Sequence, residues 1–201
     1  MNHIIFDFDG VLTDSCAFHI ENINKHFGVG ITRTEYEDLH NGNFYDAPLE
    51  KMQKFKATQY PDLVAYEQSR LPLMDRAKEV LDYLHTKHHL HIISSGWERQ
   101  IRPFLVHHNI ENKFTNIFCA EHGKLKSDKF NMLFNTEKIT PEQCLFVTDT
   151  LGDIREARSV GVDTIAVTFG FHNQERLQEG NPAYIAHSWP EIQNITEEYF
   201  K

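Results

Sequence analysis

Cysteine is scarce in this chain: three residues in 201, at Cys16, Cys119 and Cys144. They are odd in number and far apart, which excludes a disulfide framework or a cysteine-based metal knuckle and fits reduced thiols in or near a core. Positive charge is also in deficit, with 20 Lys and Arg against 29 Asp and Glu and a formal net charge of −9. That balance argues against a nucleic-acid backbone or an anionic membrane as partner, since both require clustered cations. Long apolar runs are missing. The first one, Ile4-Ile5-Phe6, meets an acid at Asp7, too early for a signal peptide or a membrane span, so a cytoplasmic protein is expected. There is no internal repeat and no low-complexity tract. With 40% hydrophobic and 24% charged residues, the chain has enough apolar matter for a real core. Its length suits one large domain or a core with a small accessory domain.

What is present is a series of short apolar strands that end in chemistry. Ile4-Ile5-Phe6 runs into Asp7-Phe8-Asp9-Gly10. Carboxylates two apart at a strand end, with glycine turning the chain, can converge on one ion or phosphate, and hard oxygen donors of this kind suit Mg²⁺. His89 to Ile93 ends in Ser94-Ser95-Gly96. A basic cluster, Lys124, Lys126 and Lys129, marks the start of a helix, and Leu145-Phe146-Val147-Thr148 ends in Asp149 with Asp153 four residues on.

Further strands are expected at 116–120, 164–168 and 184–186, with helices at 75–86, 98–107, 127–135 and 153–160. Alternating strands and helices of this length predict a parallel sheet with helices on both faces. Between the first and second strands the pattern turns helical, at 16–27 closed by Gly28, 34–39, 47–58 and 61–69.

In order, spacing and strand-end placement, these four segments resemble the motifs of the haloacid dehalogenase (HAD) superfamily, over about residues 4–167, and among its branches the phosphoglycolate phosphatase and β-phosphoglucomutase-like one. The resemblance implies an α/β fold: a Rossmann-like parallel-sheet core at 1–15 and 74–201 with an inserted helical cap at 16–73. It implies a Mg²⁺-dependent phosphatase acting on a small phosphorylated metabolite. Spacing alone leaves the roles of the first two acids interchangeable; the resemblance makes Asp7 the nucleophile that forms an aspartyl-phosphate and Asp9 the general acid and then base. It implies Mg²⁺ held by Asp7, the Asp9 carbonyl and Asp149, with Asp153 orienting a metal-bound water. Ser94 and Ser95 would bind the phosphoryl oxygens, together with a lysine. Lys126 is the better match, and Lys129 satisfies the pattern with a small register shift.

Thr13-Asp14-Ser15-Cys16-Ala17-Phe18-His19 is similar to the cap entry of β-phosphoglucomutase-like members, where a histidine assists the proton-transfer aspartate. A phosphosugar mutase is therefore the alternative, although the glycine- and arginine-bearing loop of that mutase is missing between Thr34 and Ala57. A phospho-acceptor signalling module fits less well, because such domains carry their acceptor acid on an interior strand and have no helical insertion. Asp14 and Ser15 read as a hinge or helix cap. The stretch Thr168 to His172 reads as a packed turn on the active-site side. His88, His89, His91, His107 and His108 read as surface or helix-end residues, since no ligand set for zinc forms around them.

Overall fold

The computed structural model describes residues 2–46 and 62–201. Its centre is a six-stranded parallel sheet in the order β3-β2-β1-β4-β5-β6. The strands are β1 (His3–Phe6), β2 (His89–Ile93), β3 (Phe114–Phe118), β4 (Cys144–Thr148), β5 (Asp163–Val167) and β6 (Tyr184–Ala186). β1 lies between β2 and β4, with Phe6 level with Ile92 on one side and Val147 on the other. Every residue of β1 and β4 is buried, as expected for parallel strands covered on both faces.

Side-chain alternation along β1 builds the two cores. Ile4 and Phe6 face a cluster with Leu90, Ile92, Leu145 and Val147, roofed by Leu81, Phe104 and Trp189. Ile5 faces Ile93, Phe146, Phe130 and Ala157 on the other side. The first face is covered by α4 (Ala77–His85), α5 (Glu98–His107) and α9 (Trp189–Tyr199); the second by α6 (Lys126–Glu137) and α7 (Leu151–Ser159). Trp189 stacks on Phe6 at 5.5 Å between ring centroids.

The segment between β1 and α4 adds α1 (Cys16–Phe27), α2 (Arg33–Asp38) and α3 (Asp62–Gln68). α1 stops at Gly28, which takes the left-handed conformation at φ 60° and donates back to the Asn24 carbonyl, a geometry glycine adopts without strain. α2 opens with a reciprocal capping box between Thr32 and Glu35. Cys16, Ile23, Ile31, Tyr36, Leu39 and Val64 form a small apolar cluster here, shared with Phe171 from the loop after β5. The two crossings of the chain are tied together: Thr13 Oγ1 donates to the Pro72 carbonyl at 2.8 Å, and the Met74 N–H to the Leu12 carbonyl at 2.9 Å.

The third strand starts and ends two residues earlier than expected. It is an edge strand with a weak buried pattern, anchored by Phe114 and Phe118, and its expected last residue Ala120 instead opens a 3-10 turn, with its N–H on the Gly96 carbonyl at 2.8 Å. Two helices escape the sequence reading, α8 (Gln174–Gln178) and α9. Asn173, whose side chain accepts the Arg176 N–H, and Ser188 with Pro190 in the first turn were their start signals. The expected helix at 47–58 and the start of the one at 61–69 lie outside the described residues. No described helix is long and apolar enough to cross a membrane.

The histidines also depart from expectation. His91 is fully buried and shares a 2.9 Å contact between its Nε2 and His3 Nδ1, and His88 is buried as well. His91 lies on β2 beside the central β1, so its burial follows from strand placement, whereas His88 precedes β2 and packs against the Phe200 ring at 5.4 Å between centroids.

Candidate active site

β1 and β4 are neighbours although the chain runs outward from them in opposite directions, which makes their carboxyl ends the topological switch point of the sheet. The strand order therefore brings Asp7 and Asp9 beside Asp149. Register does the fine placement: the Asp7 N–H continues the ladder to the Val147 carbonyl at 2.9 Å. The chain then turns over Gly10, at φ 75°. A Cβ there would lie 1.8 Å from Asp149 Oδ2, and one on Gly170 would lie 2.3 Å from the same oxygen. Both glycines are needed so that backbone can close around this carboxylate.

Asp7, Lys126 and Asp153 form a buried cluster. Lys126 Nζ lies 2.8 Å from Asp7 Oδ2 and 2.6 Å from Asp153 Oδ2. Thr148 Oγ1 donates to the same Asp153 oxygen at 2.7 Å, and the Phe8 N–H donates to Asp7 Oδ1 at 2.7 Å. Lys129, the other candidate, points elsewhere: its Nζ donates to the Ser94 carbonyl at 2.6 Å, and burial lowers it to about 8. The Ser94 hydroxyl accepts from the Gly96 N–H at 3.0 Å, while the Ser95 carbonyl accepts from Tyr45 Oη at 3.0 Å.

Electrostatics set the demand of this cluster. Asp7, Asp149 and Asp153 against Lys126 make three carboxylates and one ammonium, an excess of two negative charges if all are ionised. Burial would raise Asp153, but Lys126 and the Thr148 hydroxyl outweigh it and hold it at about 2. The surplus appears on the other two: burial raises Asp7 well above the usual carboxylate range despite Lys126, and pushes Asp149 up to about 8 despite the Phe171 N–H. Asp149 Oδ2 accepts that N–H at 2.7 Å, whereas its buried Oδ1 has no hydrogen-bond partner among the described residues. An orphaned carboxylate oxygen beside surplus negative charge fits a hard divalent cation. No three His, Cys, Asp or Glu side chains converge as a full ligand set among the described residues, so such an ion would rest on Asp7, Asp149 and main-chain oxygen.

Asp9 has different company. Its Oδ1 accepts from Ser15 Oγ at 2.6 Å, His19 Nε2 at 2.9 Å and Gln68 Nε2 at 3.1 Å. Burial opposes the charged form, but His19 and the Ser15 hydroxyl outweigh it and lower Asp9. Ser15 thus departs from the helix-cap role: its side chain makes no cap bond to α1 and serves Asp9 instead. Gln68 and its partner Gln100 escaped sequence reasoning altogether. Gln68 lies in a polar stretch 59 positions from Asp9, and nothing local marks it.

A cavity of ≈ 470 Å³, open solvent included, lies over these groups. Its floor is Asp7, Asp9, Ser94, Ser95, Lys126 and Asp153; Tyr36, His40 and Phe44 of the insertion and Phe171 form the opposite wall. Asp149 is fully buried next to this floor, with Gly10 and Gly170 packed against its Oδ2. The turn at 168–172 is packed, as expected, yet it also reaches the site: Phe171 lines the cavity, and His172 links the Leu151 N–H to the Glu37 carbonyl. The insertion docks on the start of α7, where the Gly152 N–H donates to the His40 carbonyl at 2.8 Å.

Comparison with known proteins identifies the family and the fold. The family model for haloacid dehalogenase-like hydrolases matches residues 4–167. A phosphoglycolate phosphatase of Synechococcus elongatus is 26% identical, with 92% of each chain covered. Among solved structures, a haloacid dehalogenase-like hydrolase of Streptococcus pneumoniae superposes with a TM-score of 0.76 at 24% identity, covering 100% of this chain and 99% of its own. CbbY of Rhodobacter sphaeroides, solved with xylulose-(1,5)bisphosphate, gives 0.76 at 16% identity over 96% of each chain. The chain belongs to the haloacid dehalogenase-like hydrolase family. Its sheet, six parallel strands flanked by helices, is the fold of those structures.

Proposed function

We propose that the protein hydrolyses a small phosphomonoester through an aspartyl-phosphate on Asp7, with Mg²⁺ as cofactor. The observation that carries this reading is the pairing of two unlike carboxylates at one strand end. Asp7 is bonded to Lys126 at 2.8 Å, and Asp9 to neutral and imidazole donors. Asp7 attacks phosphorus in line as the bond to the leaving oxygen breaks, and the leaving oxygen takes a proton from Asp9. Asp9, now a carboxylate, then takes a proton from the water that hydrolyses the acyl-phosphate. Lys126 holds the charge of the phosphoryl oxygens against that of Asp7. Ser94 and Ser95 sit on the floor to bond those oxygens.

Asp7, Asp149 and the Asp9 carbonyl would hold Mg²⁺, which supplies charge neutralisation for the incoming phosphate. Asp153, whose Oδ2 is taken by Lys126 and Thr148, has only Oδ1 left to orient a bound water. The 16–73 segment acts as a cap that excludes water and encloses the leaving group, so the substrate is a metabolite rather than a macromolecule. The relatives named for phosphoglycolate and the bisphosphate held by CbbY make small phosphorylated acids and sugars the compounds to test first.

The His19–Asp9 contact at 2.9 Å favours one second reading, a phosphosugar mutase, which differs only in the fate of the aspartyl-phosphate. Phosphate release from a panel of phosphorylated metabolites, with Mg²⁺ and with EDTA, tests both. Stoichiometric phosphate in Mg²⁺ supports the hydrolase. Isomerised sugar phosphate with little free phosphate, suppressed by His19→Ala, supports the mutase.

A further inference from the structure

Between the insertion and the core runs a chain of two buried glutamines that ends on Asp9. The Trp97 N–H donates to Gln100 Oε1 at 3.1 Å, Gln100 Nε2 to Gln68 Oε1 at 2.9 Å, and Gln68 Nε2 to Asp9 Oδ1 at 3.1 Å. Gln68 and Gln100 are 1% and 3% exposed, so water does not compete for their amides. Polarity propagates along such a chain. A main-chain N–H only donates, so Gln100 must turn its oxygen to Trp97 and its NH₂ to Gln68. Gln68 must then present its oxygen to Gln100, which aims its own NH₂ at Asp9. Reversing either amide would oppose two donors or two acceptors in a buried site.

We propose that Gln68 and Gln100 are positioning residues that decide which oxygen of Asp9 serves the leaving group. With Ser15 and His19 they make Oδ1 an acceptor of three hydrogen bonds. No donor is bonded to Oδ2 among the described residues. That oxygen lies towards Gly96, 3.6 Å from where a Cβ on that glycine would sit, in a cavity that Asp9 lines. Oδ2 is therefore the oxygen that carries the transferred proton. As the P–O bond to the leaving group breaks and the bond to Asp7 forms, that proton passes from Oδ2 to the leaving oxygen. Gln68 ends α3 in the insertion, whereas Gln100 lies in the first turn of α5 in the core. The relay is complete only when those helices are packed together, which couples the aim of Asp9 to docking of the insertion. This inference rests on the phosphatase reading.

The test compares 2-phosphoglycolate, an alkyl ester whose leaving oxygen needs a proton, with p-nitrophenyl phosphate, whose phenolate leaves without one. kcat/KM is measured in Mg²⁺ for the parent, Gln68→Met, Gln100→Met and the double variant. Both single changes keep bulk and add no charge. Gln68→Met is expected to lower kcat/KM for the alkyl ester about tenfold or more and for the aryl ester less than about threefold, a fraction of the roughly 10²–10⁴-fold of a whole general acid because Asp9 itself stays in place. Gln100→Met should shift the ester ratio in the same direction, and the double variant should match Gln68→Met, because without the Gln68 amide nothing is left to transmit. Reading the ratio of two esters removes the fraction of misfolded enzyme from the comparison. An unchanged ratio, or a double variant in which the two shifts multiply, overturns the relay. A parent protein that releases phosphate from neither ester overturns the phosphatase reading, and the relay with it.

Discussion

Asp7 and Asp9 leave the same strand end two residues apart, yet different parts of the molecule hold them. Asp7 is fixed by the core alone: its own strand, Lys126 of α6, and through that lysine Asp153 of α7 and Thr148 of β4. Asp9 is fixed by Ser15, by His19 of α1 and by Gln68 of α3, all at or beyond the point where the chain leaves the core. The first set is three charges and one hydroxyl, all buried and all supplied by the core. The second is built from a hydroxyl, an imidazole and an amide that arrive with the insertion. Asp7 is thus preorganised by the sheet, and Asp9 by docking of the inserted helices, which in the proposed mechanism separates the nucleophile from the proton donor.

Removing the core half outright is the largest break. Asp7→Asn is expected to lower phosphate release about 10⁴-fold, in the range seen when a nucleophile is lost, while thermal unfolding stays within a few degrees of the parent. The amide relieves part of the surplus negative charge and keeps the shape, so the fold has no reason to suffer. Activity within tenfold of the parent would remove Asp7 from the mechanism.

The carboxylates proposed to hold and serve Mg²⁺ sit in the same half. Asp149→Ala should weaken Mg²⁺ activation about 100-fold, because it deletes the oxygen that has no other partner. Asp153→Ala should damage the rate more than the metal titration, since that carboxylate is already occupied by Lys126 and Thr148. The opposite ordering in Mg²⁺ titrations would exchange their roles.

The insertion half is sharpened at Gly152. A Cβ there would lie 2.3 Å from the Gly42 carbonyl oxygen and 2.8 Å from that of His40. Alanine is the better helix former by up to about 1 kcal/mol, so Gly152→Ala leaves α7 sound while pushing the docked 40–43 stretch away. KM is expected to rise about tenfold with no loss of thermal stability; an unchanged KM would show that this contact is idle in turnover.

The smallest effect lies at the other end of the sheet. Burial pushes His91 down to about 3, below the 6.5 it has when exposed. The unfolded chain therefore binds the proton first. Stability from this group is present above pH 6.5 and is lost as pH falls towards 3, by about 1.4 kcal/mol per pH unit. His91→Leu should flatten the fall of the unfolding temperature between pH 6.5 and 4.5 without touching turnover at neutral pH. A parallel curve for parent and variant would refute the buried neutral pair with His3.

The sequence was legible where a pattern is local. The apolar run of β1 followed by Asp7 and Asp9, the strand at 144–148 followed by Asp149, and helices such as 16–27 and 98–107 all follow from periodicity and turn chemistry. Edge strand β3 was misplaced by two residues because an edge has only part of its pattern buried. His91 was misread because no local signal tells a histidine on a central strand from one at a surface.

By itself, then, the sequence determined the alternating α/β architecture, the helical insertion after the first strand, and the acids, hydroxyls and lysines at the strand ends, because each is written within a dozen residues. Only the tertiary structure decided that Lys126 pairs with Asp7 while Lys129 serves the Ser94 carbonyl. It alone turned Ser15 from a cap to a partner of Asp9, and brought Gln68 and Gln100 to that carboxylate. Those choices depend on which face of a helix meets which strand end, and on hydrogen-bond polarity carried between residues up to 59 positions apart. Neither quantity has a local sequence period.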